Sequence, residues 1–128
     1  MAVDEYEANL RLTAALHGTA YQGPTSYWAE LVSDAPSRTV NGTPSGLGRI
    51  QIVCATAITN NGDGTGDNAT VWEWAAPATD LDECSYLELW DDEVAGNRRF
   101  FEMLPSPVSP VAGLAVTVPI GNFTWMEV

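Results

Sequence analysis

The sequence contains no lysine, and its five basic residues are all arginine: Arg11, Arg38, Arg49, Arg98 and Arg99. Lysine nucleophiles and lysine Schiff bases are therefore excluded. Only Arg98 and Arg99 are adjacent, so the cation clusters that grip a phosphate backbone or an anionic lipid surface are missing. Neither a nucleic acid nor a membrane is expected as a partner. Histidine is almost as scarce. His17 is the single copy, which excludes a multi-histidine metal centre and makes any Ser-His or Cys-His dyad depend on that one residue. The two cysteines, Cys54 and Cys84, form no close-spaced metal or redox motif. They read as two buried apolar thiols, with a disulfide as the minority alternative if their strands lie together. No apolar run approaches the ~20 residues of a membrane-crossing helix. The acidic start of the chain is not that of a signal peptide.

What is present is acid. The 128 residues hold 17 Asp plus Glu against 5 Arg, a net charge of -12. Such a surface keeps a protein soluble at high local concentration and suits a cationic partner; adaptation to a salty medium produces the same composition. Hydrophobic residues make up 45%, enough for a core and too many for a disordered chain. The length fits one domain.

Along the chain the hydrophobic period changes once. Asp4 followed by Glu7 has the spacing of a capping box, in which each side chain satisfies an orphan backbone N–H of the other. Val3, Tyr6, Leu10, Ala14 and Leu16 recur at helical spacing, Glu7 can pair with Arg11, and Gly18 sits at a left-handed stop. A helix is expected over 4–17, with His17 in its last turn as a dipole-compatible surface residue. Beyond Gly18 the period is two. Strands are expected over 26–33, 49–57, 69–75, 85–90, 99–104, 114–118 and 123–128. Turn-rich loops at 40–48 and 105–113 separate some of them. Residues 91–97, ending in Gly96-Asn97, read as the turn joining strands 85–90 and 99–104. The expected fold is mainly β: a β-sandwich or jelly-roll-like domain over 19–128 with a short N-terminal helical arm over 1–18.

Three features have a possible chemistry beside a plain reading. Residues 60–68 (Asn-Asn-Gly-Asp-Gly-Thr-Gly-Asp-Asn) place oxygen-bearing side chains among glycines, as a calcium loop does. Counted from Asn61, however, the twelfth position of an EF-hand is Trp72, and Asn and Gly also make ordinary turns. The plain reading is preferred, and no metal or other cofactor is expected. The acidic runs Asp80, Asp82, Glu83 and Asp91, Asp92, Glu93 mark no acid/base pair of the glycosidase kind and read as solvated strand ends. Trp72 and Trp74 share one strand face. They read as core or subunit interface before they read as a sugar-stacking platform. No catalytic constellation is found, and a non-enzymatic role is expected.

The order of several segments carries a resemblance. Leu16-His17-Gly18-Thr19-Ala20-Tyr21 leads through Pro24 to the strand at Tyr27, then to Ala35-Pro36 and to Gly48-Arg49. Leu87-Glu88-Leu89-Trp90-Asp91, Gly96-Asn97, Ala112-Gly113-Leu114 and Phe123-Thr124-Trp125 follow. Over about residues 12–128 the chain resembles a family of small tailed-bacteriophage virion structural proteins. These are labelled tail fibre proteins and, in some phages, head decoration or cement proteins. The resemblance implies a β-rich structural subunit of the virion, assembled in the host cytoplasm as a homo-oligomer, with a trimer the natural expectation. The main expectation is a capsid decoration or cement protein that binds the major capsid protein or other virion proteins and stabilises the head. The alternative is a tail fibre or tail-apparatus subunit with a carbohydrate- or receptor-binding role. The residues expected at the oligomer or partner interface are Tyr6, Leu10, Trp72, Trp74, Phe100 and Phe101.

Overall fold

The structure is a computed structural model and describes residues 2–126. A two-residue strand, β1 (Ala2–Val3), precedes helix α1 (Glu5–His17). Strands β2 (Ser26–Val32) and β3 (Ile50–Val53) follow, then a single helical turn, α2 (Cys54–Ala57). Next come β4 (Ile58–Asn60), β5 (Thr65–Asn68) and β6 (Trp72–Trp74). The described chain closes with β7 (Cys84–Trp90), β8 (Arg98–Val108), β9 (Val116–Val118) and β10 (Thr124–Met126). Every strand pairing is antiparallel. The sheets have the orders β1-β8-β7-β2-β3, β10-β5-β4 and β6-β9. The mainly β class and the N-terminal helix are as expected. Positions 127 and 128 of the expected last strand lie outside the described residues.

The core lies between the large sheet and the two-stranded one. Alternation along β2, β7 and β8 turns Ala29, Leu31, Leu87, Leu89 and Phe100 inward. The β6–β9 pair answers with Trp72, Trp74, Val116 and Val118. Trp72 stacks at a tilt on Phe123 with centroids 5.0 Å apart, and Tyr27 meets Phe100 edge-on at 5.7 Å. The two β6 indoles keep their polar handles satisfied, Trp74 Nε1 donating to Gly48 O at 3.2 Å and Trp72 Nε1 to Ala57 O at 3.4 Å, whereas the buried Trp90 Nε1 has no hydrogen-bond partner among the described residues.

Four elements differ from their sequence expectation. Val3 belongs to a strand, because β1 pairs with β8 through Phe100 and Phe101. The strand expected over 49–57 stops at Val53. The small residues Cys54-Ala55-Thr56-Ala57 have little to pack on a pleated surface and form a helical turn instead. The 60–68 segment is a hairpin, with β5 pairing both β4 and β10. Finally, β8 runs on past Pro105 and Pro107 to Val108. It does so across a register shift opposite Cys84 and Tyr86, the kind of irregularity that tolerates proline.

Asn68 locks this arrangement. It is fully buried. Its amide donates to the carbonyls of Thr70 (3.0 Å), Val118 (3.3 Å) and Pro119 (2.8 Å), and its oxygen accepts from Gly121 N (2.9 Å) and Phe123 N (3.0 Å). One side chain thus does for the 119–123 turn what a ladder of backbone bonds does elsewhere.

Candidate functional site

The helix is fastened to the sheet by charge. Asp4 caps α1 by accepting from Tyr6 N at 2.9 Å. The expected return bond from Glu7 is not made, since the Asp4 N–H is already held by Arg99 O at 3.0 Å. Glu7, the one buried residue of the helix, turns to the sheet instead. It accepts from Arg99 Nη1 at 2.9 Å and from the Tyr21 hydroxyl, and it sits 3.5 Å from Arg11 Nε one turn on. A carboxylate offered a guanidinium in a desolvated setting forms the stronger, charge-assisted bond.

The two adjacent arginines of β8 diverge. Arg99 also donates from Nε to Asp91 Oδ2 at 3.1 Å, and its guanidinium lies 5.0 Å from the Tyr6 ring centre. Arg98 points the other way. It donates to Asp4 Oδ2 (2.9 Å), Val40 O (3.0 Å), Ser37 O and Glu88 Oε2 (2.7 Å). That Glu88 oxygen also accepts from Gly42 N at 2.9 Å, which ties the 33–44 loop to β7. A Cβ on Gly42 would stand 2.7 Å from Val32 Cγ2 and 2.9 Å from Asp34 O, so only glycine fits this close approach. Nearby, Arg49 secures the 91–97 turn through the carbonyls of Asp92 (2.9 Å) and Ala95 (2.7 Å). It also pairs with Glu30 at 3.4 Å and lies 3.9 Å over the Trp90 ring.

The ionisations follow from these contacts. Burial alone would lower the Arg99 guanidinium, but its bonds to Asp91 and Glu7 outweigh that and hold it above its ordinary value. Burial pushes the Asp91 carboxyl up, yet Asn97 N–H and Arg99 together bring it below the usual carboxylate range. The Tyr21 hydroxyl is raised by burial and by its bond to Glu7. Glu30 is raised by burial and by Glu88 across the strand pair, against the opposing pull of Arg49. Burial also raises both thiols, Cys84 to about 11, so they are protonated at neutral pH and weak as nucleophiles. Both cysteines are free.

The expected site residues are dispersed. Tyr6 and Leu10 line a groove of about 330 Å³ between α1 and residues 19–22, together with Thr13, Tyr21, Gln22 and Arg99. Trp72, Trp74 and Phe100 are 2%, 0% and 5% exposed. They belong to the core of one copy, which corrects both their placement at a partner surface and the sugar-platform reading of the two tryptophans. Phe101 is half-buried beneath Arg98, 4.6 Å from ring centre to guanidinium. In the 60–68 hairpin the oxygens serve neighbouring groups. Asp63 Oδ1 accepts from Thr65 N and Oγ1, while Asn61 Nδ2 donates to Thr65 Oγ1 and Asp67 Oδ2. Among the described residues no group of three or more His, Cys, Asp or Glu is placed to hold a metal ion. Sequence reasoning missed Leu12 and Leu16 as surface residues. They are 56% and 70% exposed on a helix face distinct from the groove face of Tyr6, Leu10 and Thr13.

The family model of the podophage GP4 fiber I protein gp80 matches residues 2–126. No curated protein matches the chain.

Proposed function

The chain belongs to the podophage GP4 fiber I protein gp80 family, and from that membership we propose that it is a structural subunit of a podophage tail fibre or tail apparatus. Its family places it among phage virion proteins of fibre type. The match is to a fibre protein, so it favours the tail alternative of the sequence reading and offers nothing for the capsid decoration or cement role. The match over residues 2–126 is the observation that carries the proposal. In this reading the subunit works by assembly and performs no reaction. It forms a homo-oligomer, with a trimer the starting expectation, and docks on other virion proteins. The exposed Leu12 and Leu16 of α1 are the contact residues we assign to that docking, on a helix held rigid by the Glu7–Arg99 and Asp4–Arg98 pairs.

The test has two parts. Light scattering on the purified chain should give an oligomer. Gold-labelled antibody against the chain should decorate the tails of intact particles in electron micrographs. A strict monomer together with label on heads, or no label on particles at all, would overturn the proposal.

A further inference from the structure

We propose that the outward face of β7 holds an internal water molecule, bound between Nε1–H of Trp90 and Oε1 of Glu88. The site ties two loops to one strand and does not depend on how subunits assemble.

Two orphan atoms define it. Glu88 is fully buried and Trp90 is 9% exposed. Among the described residues, Glu88 Oε1 and Trp90 Nε1 are the two buried side-chain polar atoms without a hydrogen-bond partner. They lie together. Residues two apart on a strand share a face, so both side chains leave β7 on the side away from Leu87 and Leu89, which point into the core. Their neighbours interlock. Glu30 and Trp28 stand opposite them on β2. The Arg49 guanidinium lies 3.9 Å over the Trp90 ring, and its Nε is 3.4 Å from Glu30. Glu88 acts on the same Glu30: burial raises the Glu30 carboxyl, Arg49 opposes the rise and Glu88 adds to it. Arg98, which bonds the other Glu88 oxygen at 2.7 Å, is the register partner of Trp90 on β8. Glu88, Glu30, Arg49, Trp90 and Arg98 therefore close a ring of side chains around the two atoms.

The chemistry of the ring selects the ligand. The site has one hydrogen to give and one carboxylate lone pair to fill. An anion would take the indole hydrogen but meet the charge of Glu88. A metal ion or an ammonium group would suit Glu88, but it gives the indole hydrogen no acceptor and would sit between two guanidinium groups. An apolar group would leave both atoms stranded, which is costly. Water accepts from Trp90, donates to Glu88 Oε1 and keeps a second hydrogen for Glu30, the three bonds usual for a buried water. The spacing agrees. Residues two apart on a strand are about 6.7 Å apart, too far for upright side chains to bond directly. Two hydrogen bonds through one water span up to about 5.6 Å. The water also gives the fold continuity. Glu88 anchors the 33–44 loop through Gly42 N, and Arg49 anchors the 91–97 turn. The bridge makes one hydrogen-bonded layer of these two anchors.

The probe is water itself, observed on the full isotope-labelled chain. Water-selective NOE and ROE spectra read the five indole N–H groups separately. The Trp90 N–H should show a water cross-peak with the sign of a molecule resident for longer than a nanosecond. Those of Trp72 and Trp74, bonded to the carbonyls of Ala57 and Gly48, should show none. Oxygen-17 relaxation dispersion then counts the long-lived waters. At about one per 27 residues the chain should hold on the order of five, so the loss of one removes about a fifth of the amplitude. Trp90→Phe keeps a ring beneath Arg49 and removes the donor, and it should lose that share. Leu114→Ser, at an exposed loop position, should lose none. A Trp90 N–H without a long-lived water contact would overturn the proposal, and that measurement needs no variant to fold. An unchanged dispersion amplitude in folded Trp90→Phe would overturn it as well.

Discussion

Arg98 Nη1 stands 2.7 Å from Glu88 Oε2, and the two side chains are 2% and 0% exposed. A buried pair of this kind contributes little over an apolar substitute, but breaking it strands a charge away from water. Asp4 still pairs with Arg98 at 2.9 Å, so Glu88→Gln is expected to cost about 1–3 kcal/mol in urea unfolding. Arg98→Met should cost at least as much, because the carbonyls of Ser37 and Val40 lose their donor too. The double variant should cost clearly less than the sum of the two, the signature of residues acting as a unit.

Gly42→Ala tests the close approach of the 33–44 loop to β7. The added methyl meets Val32 and the Asp34 carbonyl at 2.7–2.9 Å, so the loop must lift from Glu88. A loss of about 1–3 kcal/mol is expected. A thermal midpoint equal to that of the parent chain would show that the loop yields freely.

Asn68→Asp keeps the side chain's shape and reverses half its chemistry. Three backbone carbonyls that now receive the Asn68 amide would face a carboxylate oxygen with no hydrogen to offer. We expect a loss of about 3–5 kcal/mol, in the range for stranding a buried charge. Amide exchange should quicken first over residues 119–123, which the side chain holds.

Acid sensitivity should centre partly on Asp91. Its carboxyl is held below its ordinary value, so the ionised form is favoured by the folded state. The stability it contributes is fully present above the unfolded-state value of about 4 and is lost as pH falls through the lower folded-state value. Asp91→Asn should therefore flatten the decline of stability below about pH 4. Chemical denaturation of both proteins across pH 2–7, a window set around that carboxylate value, measures it directly.

Leu12→Ser combined with Leu16→Ser removes two exposed apolar side chains that pack on little within the chain. Unfolding free energy should change by no more than about 0.5 kcal/mol. The proposed oligomer, followed by light scattering, should dissociate at higher protein concentration in this variant than in the parent chain.

The strands most legible in sequence were those with strict alternation and clear turns. Leu87-Glu88-Leu89-Trp90, the Gly96-Asn97 turn and the following strand emerge as a hairpin, and the helix ends at Gly18 with positive φ. Segments governed by tertiary context were not legible. Thr65-Gly66-Asp67-Asn68 has poor strand propensity and becomes β5 because it is sandwiched between β4 and β10. Cys54–Ala57 has the opposite fate. The site suffered most from a local reading of Glu7. A capping box explains its spacing from Asp4, but the residue that claims it, Arg99, lies 92 positions away. One signal was available: a chain with five basic residues sets two of them side by side on a strand whose partner carries Glu88 between two leucines. Polar residues at positions where alternation demands both faces of a buried sheet call for internal partners. The same reading would have removed Trp72 and Trp74 from the surface, since their strand partners Val116 and Val118 are equally apolar.

Four of the five arginines are tied to carboxylates of their own chain, which leaves the outer skin of the subunit almost wholly anionic. Copies approaching one another must work against that like charge over about 10 Å at 0.1 M salt. Dissolved ions shorten this reach while barely touching the sealed pairs inside. The proposed assembly should therefore form faster as the medium becomes more saline, and dilution into fresh water should loosen it long before it loosens any subunit itself.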